Sequence, residues 1–281
     1  AALECFDELT RRGLNAGPLD YHVAITAALS TGSHARVASL SWEASRVVRS
    51  QAEAEGATVP FAGHPSAAIP SARVGAISVG WCWTAWSTAQ LLLLHDELAR
   101  RLPPSEESAA RELERNLSLA LKFGEMPSFG SSGARSSYAL SHLPSRVMKV
   151  ADILRLAAPA WLPDAVRAAL RESESVISLA AGPGFDAAAL ALILSFDGGA
   201  ARGRGPLAVR AFDYESGWEE QCDAMAGAVH ACIDGASMLS IAFARCDVTL
   251  SLREAPINRS LAEELAASRL VLASYCVAEN A

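Results

Sequence analysis

The stretch 175–186, which reads SVISLAAGPGFD, decides the predicted fold of this chain. Its first residues are mostly apolar and indicate a short buried strand. Gly182 and Gly184 follow, and glycine permits both a sharp turn and the close approach of a ligand to the backbone. The segment 187–194, rich in alanine and leucine, then favours a helix. This order predicts the first crossover of a nucleotide-binding α/β sheet, whose ligand lies beyond the carboxyl end of the strand.

The rest of the segment 164–281 continues the alternation of strands and helices. A second apolar run, 207–212, ends at Asp213, and a carboxylate at that point is suited to accept both hydroxyl groups of a ribose. The distance from Gly184 to Asp213 exceeds the usual ~20 residues because the glycine-rich connection 197–206 lengthens it. Further helices and strands are predicted at 214–233, 238–244, 260–267 and 269–277. We therefore predict an α/β fold with a Rossmann-like parallel sheet and right-handed crossovers, preceded by an α-helical region.

The order of these motifs resembles the amino-terminal half of a class I S-adenosylmethionine-dependent methyltransferase. The segment 177–184 is similar to the family's first motif, a strand with an acidic residue and a glycine-rich turn. Asp213 matches the acidic residue that ends the second strand, the pair 247–248 matches the third motif, and 274–280 matches the fourth. The family fold continues with further strands, so the resemblance implies that this chain is a fragment with an incomplete sheet.

Two positions depart from the family's pattern. Ser178 stands in place of the acidic residue of the first motif, and Ala180 stands in place of its first glycine. Both departures fall where the family contacts the amino-acid part of its cofactor.

The resemblance implies S-adenosylmethionine as the cofactor and methyl transfer to an unidentified nucleophile in RNA, protein or a small molecule. The glycine turn would admit the amino-acid part of the cofactor, Asp213 would hold the ribose, and Asp247 would bind the adenine amino group. The implied cofactor-binding residues are Ala180, Ala181, Gly182, Gly184, Asp213, Tyr214, Asp247, Val248 and Ser274.

Other aromatic and polar residues are candidates for contacts to the reacting groups. Trp218 or Tyr275 would face the positive sulfonium with its ring. Tyr138 and Arg146 lie on a helix ahead of the first strand, which the resemblance would fold over the cofactor or substrate. The candidates for direct contact with the methyl acceptor are Tyr275, Glu279 and Asn280.

Two other functions remain open. A non-catalytic relative, acting as an RNA-associated or assembly protein, is favoured by Ser178 and Ala180. An NAD(P)-dependent oxidoreductase on a similar fold would show a fuller glycine turn than AAGPG.

The residues before the predicted sheet favour helices. We predict a helical segment at 1–58, a linker at 59–76 and a helical region at 77–163 that leads into the domain 164–281. The start of the chain, up to about residue 50, weakly resembles pentatricopeptide repeats, which implies RNA as a partner, and an ordinary amphipathic helical pair is the alternative. The apolar run near residues 81–94 is shorter than the ~20 residues of a membrane span, so we expect a buried helix there and no membrane association.

Composition narrows the class of protein. The net charge of −7 argues against broad electrostatic binding of nucleic acid, although a local basic patch stays open. The six cysteines are scattered, which favours reduced thiols over disulfides or a zinc site. We expect an intracellular protein, cytoplasmic or organellar, without a metal, and the oligomeric state is not set by the sequence.

Overall fold

The computed structural model describes residues 2–12, 16, 18–54, 79–104, 129–156, 172–196, 206–233 and 239–274, with short stretches between 108 and 119 and between 165 and 170. The chain forms two compact units, Ala1–Leu93 and Leu94–Ala281. The predicted linker 59–76 lies outside the described residues.

The first unit is helical, as predicted for this part of the chain. Its helices are α1 (Ala2–Arg11), α2 (Pro18–Ser30), α3 (His34–Ala54) and the start of α4 (Val79–Arg101). Helix α2 packs against both α1 and α3, and the ring of Phe6 meets Tyr21 edge-on at a centroid distance of 5.0 Å. In α4 the side chains of Trp83 and Trp86 are buried, which confirms the predicted buried helix. Among the helices that the structure describes, none has the length and apolar character needed to cross a bilayer.

The second unit contains an all-parallel sheet. Its elements in chain order are α5 (Ser132–Leu156), β1 (Ser175–Leu179), α6 (Phe185–Phe196), β2 (Leu207–Asp213), α7 (Trp218–Cys232), β3 (Leu239–Arg245), a 3-10 turn (Pro256–Asn258), α8 (Arg259–Ala267) and β4 (Val271–Leu272). The strand order is β3-β2-β1-β4, and every pairing in the described sheet is parallel. The predicted alternating α/β architecture with a parallel sheet is confirmed.

The buried core lies around β1 and α6. Strand β1 is buried along nearly its whole length, which explains its continuous apolar sequence. Helix α6 is buried along most of its length and packs against α5 and α7, which explains its almost entirely apolar sequence. Strand β3 is an outer strand of the described sheet, and most of its side chains are only half-buried.

One predicted boundary is corrected. Strand β4 was expected over 269–277, but the described ladder pairs only Val271 and Leu272 with β1, and residues from 275 onward lie outside the described part. Helix α5 begins at Ser132. The hydroxyl of Ser131 accepts the backbone N–H of Ala134 at 3.0 Å, which is a typical helix-capping contact and fixes the start of α5.

Candidate functional site

A cleft opens at the carboxyl ends of β1 and β2. Strand β1 lies between β2 and β4. The connection from β1 leads to β2 on one side, and the connection from β3 leads to β4 on the other side, so the two connections diverge at this point of the sheet. Ligands of open α/β sheets bind in such crevices. The cleft is lined by Phe129, Tyr138, Arg146, Ala180, Ala181, Gly182, Pro183, Phe185, Asp186, Asp213, Tyr214, Trp218 and Ser274.

The two glycines of the turn after β1 have different surroundings. Both have positive φ, 51° at Gly182 and 88° at Gly184. A Cβ on Gly182 would meet no atom within 4 Å, whereas a Cβ on Gly184 would stand 3.6 Å from Met225 Cγ and 3.8 Å from Cys222 Sγ. Gly182 therefore provides the open approach at the cleft. A side chain at Gly184 would face α7, and Gly184 is not among the residues that line the cleft.

Ala180 adopts a positive φ of 49° although it is not a glycine. This left-handed conformation costs an L-residue about 1–2 kcal/mol, and glycine adopts it freely. The backbone at Ala180 therefore has a conformation that favours glycine.

Asp213 is fixed in orientation at the end of β2. It is buried, with 4% of its surface exposed. Its Oδ2 accepts the backbone N–H of Gly182 at 2.9 Å, and its Oδ1 accepts the backbone N–H of Glu215 at 3.1 Å. A carboxylate oxygen has two acceptor positions, so accepting one backbone N–H does not by itself prevent it from accepting a hydroxyl of a ligand. The backbone N–H of Ala181 also donates to the carbonyl of Phe212 at 3.1 Å, which joins the glycine turn to β2 a second time.

A second buried carboxylate, Asp186, was missed from the sequence. It lies in the first turn of α6, and 4% of its surface is exposed. Ser178 Oγ donates to its Oδ2 at 2.7 Å, and Ser274 Oγ donates to its Oδ1 at 2.6 Å. Burial raises the pKa of the Asp186 carboxyl, while the hydrogen bonds from Ser274 and Ser178 oppose part of that rise. The available signal was one acidic residue within the otherwise apolar sequence FDAAALALILSF.

The opposite side of the cleft is aromatic. Tyr138 on α5 packs against Trp218 on α7 at a centroid distance of 5.6 Å, and Phe129 contacts both rings at 5.1 and 4.9 Å. The guanidinium carbon of Arg146 lies 5.3 Å from the centroid of the Tyr138 ring, within the range of a cation–π contact. Tyr138 and Arg146, predicted to cover the site, thus both line the cleft.

A buried arginine outside the cleft supports this aromatic side. Arg135 Nη1 donates to the carbonyl of Phe129 at 2.9 Å, and its Nε donates to Gln221 Oε1 at 3.2 Å. Gly217 leaves room for the guanidinium, because a Cβ there would stand 2.3 Å from Arg135 Cζ. The start of α5 is therefore joined to the start of α7. Sequence reasoning did not identify this contact.

The residues predicted for the adenine lie apart from the cleft lining. Asp247 follows β3, and its Oδ1 accepts both the backbone N–H and the hydroxyl of Thr249, at 3.0 and 2.6 Å. These hydrogen bonds lower the pKa of the Asp247 carboxyl. Val248 is 47% exposed. Both residues lie at the same edge of the sheet as Asp213, because β3 runs parallel to β2.

The remaining predicted residues divide into two groups. Tyr214 and Ser274 line the cleft together with Ala180, Ala181 and Gly182. Three predicted contacts to the methyl acceptor lie outside the described residues, namely Tyr275, Glu279 and Asn280. In the described part of the chain, no cluster of histidine, cysteine and acidic residues is suited to hold a metal ion.

Comparison with known proteins finds no matching family model, no matching curated protein and no matching solved structure.

Proposed function

We propose that the cleft binds S-adenosylmethionine and that the protein transfers the methyl group of this cofactor to a nucleophile of a second substrate. The observation that carries the proposal is the oriented carboxylate of Asp213 beside the glycine turn, at the carboxyl edge of the parallel sheet. This pair of features is what a ligand with an adenosine ribose requires. The order of motifs along 177–274 supports the same assignment.

The ribose is assigned to Asp213. Its 2′- and 3′-hydroxyl groups would donate to the two carboxylate oxygens, each of which already accepts one backbone N–H. Hydrogen bonds to a charged acceptor contribute ~1.5–3 kcal/mol each. The adenine would then extend toward the end of β3, where Asp247 and Val248 lie. The other end of the cofactor would lie along the glycine turn at Gly182, where space is open.

The sulfonium is assigned to the aromatic side of the cleft. A cation is attracted to the faces of tyrosine and tryptophan rings, and Tyr138 and Trp218 supply such rings here. In the transfer, a lone pair of the nucleophile forms the new bond to the methyl carbon, the bond from carbon to sulfur breaks, and its electron pair stays on sulfur. The product is S-adenosylhomocysteine. Orientation of the reacting atoms supplies ~7–11 kcal/mol in favourable cases, so the step needs no strong acid or base.

Calorimetric titration and a transfer assay test the proposal separately. We expect the chain to bind S-adenosylmethionine and S-adenosylhomocysteine but not NAD. Incubation with methyl-labelled S-adenosylmethionine and RNA, protein or small-molecule fractions should then label one fraction. Binding of the cofactor without transfer to any fraction would favour the non-catalytic relative, and binding of NAD alone would favour the oxidoreductase.

A further inference from the structure

Ser178 occupies the position of an acidic residue in the resembled family, yet a carboxylate still reaches this end of β1. It comes from Asp186, eight residues later in the sequence. The hydroxyls of Ser178 and Ser274 hold one oxygen each, so the carboxylate is fixed between the end of β1 and the segment after β4. Its location in the first turn of α6 favours a negative charge there.

In the described part of the chain, the hydrogen bonds to the buried Asp186 carboxylate come from two hydroxyl groups, and neither supplies a compensating positive charge. Taking an ionised carboxylate out of water is costly unless a cation compensates it. Its two described hydrogen-bond partners, Ser178 and Ser274, carry no charge, although Asp186 borders the cleft. A cationic group of a ligand in the cleft would supply the compensating charge.

The cleft also carries a positive side chain at the same site. Arg146 lines the cleft together with Asp186, and its guanidinium lies against the Tyr138 ring. An acidic and a basic side chain in one cleft match the ammonium and carboxylate of an α-amino acid.

We propose that Asp186 binds the ammonium group, and Arg146 the carboxylate, of an α-amino-acid moiety of the ligand. This inference rests on the proposed function, in which that moiety is the methionine part of the cofactor. Ser178 and Ser274 act as positioning residues, because they hold the Asp186 carboxylate toward the cleft. Asp186 would thus supply the acidic group that the resembled family has at the position of Ser178.

Two ligands whose sulfur is an uncharged thioether distinguish the contribution of the ammonium group to binding from that of the sulfonium. S-adenosylhomocysteine keeps the amino-acid part, and 5′-methylthioadenosine lacks it. Calorimetry should show that Asp186→Asn lowers the affinity for S-adenosylhomocysteine roughly 10- to 100-fold and leaves that for 5′-methylthioadenosine unchanged. Arg146→Gln should show the same selectivity. As a control, Asp213→Asn should lower the affinity for both ligands, since both contain the ribose.

Each of the other outcomes contradicts either the assignment of the ammonium group to Asp186 or the proposed function. If Asp186→Asn leaves the affinity for S-adenosylhomocysteine unchanged, or weakens both thioethers equally, the ammonium assignment is wrong and the proposed function stands. The same holds if the variant weakens only S-adenosylmethionine, because the sulfonium would then be its partner. If the unaltered chain binds neither S-adenosylmethionine nor S-adenosylhomocysteine, the proposed function fails. Ser274→Ala provides a second variant that keeps the carboxylate, and it should give a smaller loss with the same selectivity.

Discussion

The backbone N–H of Gly182 donates to the carboxylate of Asp213 over 2.9 Å, so the turn after β1 is fixed to the end of β2. One side chain thereby orients the glycine turn and presents its own oxygens to the cleft. The same carboxylate has a structural partner and a proposed ligand, and its replacement should affect both stability and binding.

We expect Asp213→Asn to lower the affinity for S-adenosylmethionine roughly 10- to 100-fold, because a ribose hydroxyl loses a charged acceptor worth ~1.5–3 kcal/mol. The amide has one acceptor oxygen, so one backbone N–H that the carboxylate now accepts also loses its partner. That loss should reduce the free energy of unfolding by ~1–3 kcal/mol. Calorimetry and urea denaturation on the same preparation measure the two effects. Unchanged affinity would place the carboxylate outside the ligand site.

Gly182 and Gly184 form a matched pair. Both adopt positive φ, so valine at either position should cost at least the ~1–2 kcal/mol of the left-handed conformation. Only Gly182→Val should remove ligand binding, because its side chain would enter the open side of the cleft. Gly184→Val faces Met225 and Cys222 instead and should keep binding in the folded fraction. Circular dichroism with ligand titration distinguishes them, and the opposite pattern would reverse the assignment of the two glycines.

Ala180→Gly should stabilise the protein. The variant removes the ~1–2 kcal/mol cost of a positive φ in the folded protein. It also lowers the free energy of unfolding by ~0.4–1 kcal/mol, because glycine has greater freedom in the unfolded chain. The net gain should be up to about 1.5 kcal/mol, measured as a higher urea midpoint. Ala181→Gly is the control: Ala181 is buried and has no positive φ, so this change should destabilise. A lower urea midpoint for Ala180→Gly would contradict the interpretation that the positive φ of Ala180 is strained.

Asp186 should make stability depend on pH in a defined direction. Burial raises the pKa of its carboxyl in the folded protein above the unfolded value of ~3.9, so the folded protein holds the proton more tightly than the unfolded chain does. The buried ionised carboxylate lowers the free energy of unfolding. This destabilisation is absent at pH values below the unfolded pKa and grows as pH rises through the folded pKa. Asp186→Asn should therefore melt at a higher temperature than the unaltered chain at neutral pH. The difference should shrink as pH falls toward 4, and a constant difference would contradict this explanation.

The strands β1, β2 and β3 were predictable because each is a local apolar run bounded by turn residues. Asp213 was predictable because its place depends only on where one strand ends. The cluster of Ser178, Asp186 and Ser274 was not, because it joins segments far apart in sequence through side-chain hydrogen bonds. The different surroundings of Gly182 and Gly184 depend on local backbone angles, which composition does not reveal.

The helical first unit leaves one sequence prediction in place. The weak resemblance of the sequence up to about residue 50 to pentatricopeptide repeats, with RNA as a partner, stays a prediction, and an ordinary amphipathic helical pair stays the alternative. In α1 the one described fully buried side chain is Phe6, which packs on Tyr21, and either interpretation accounts for that contact.

The most direct test of the central claim is calorimetric titration of the unaltered chain with S-adenosylmethionine and, separately, with NAD. The account predicts saturable binding of S-adenosylmethionine at one site per chain and no binding of NAD. Binding of NAD with no heat from S-adenosylmethionine would contradict it.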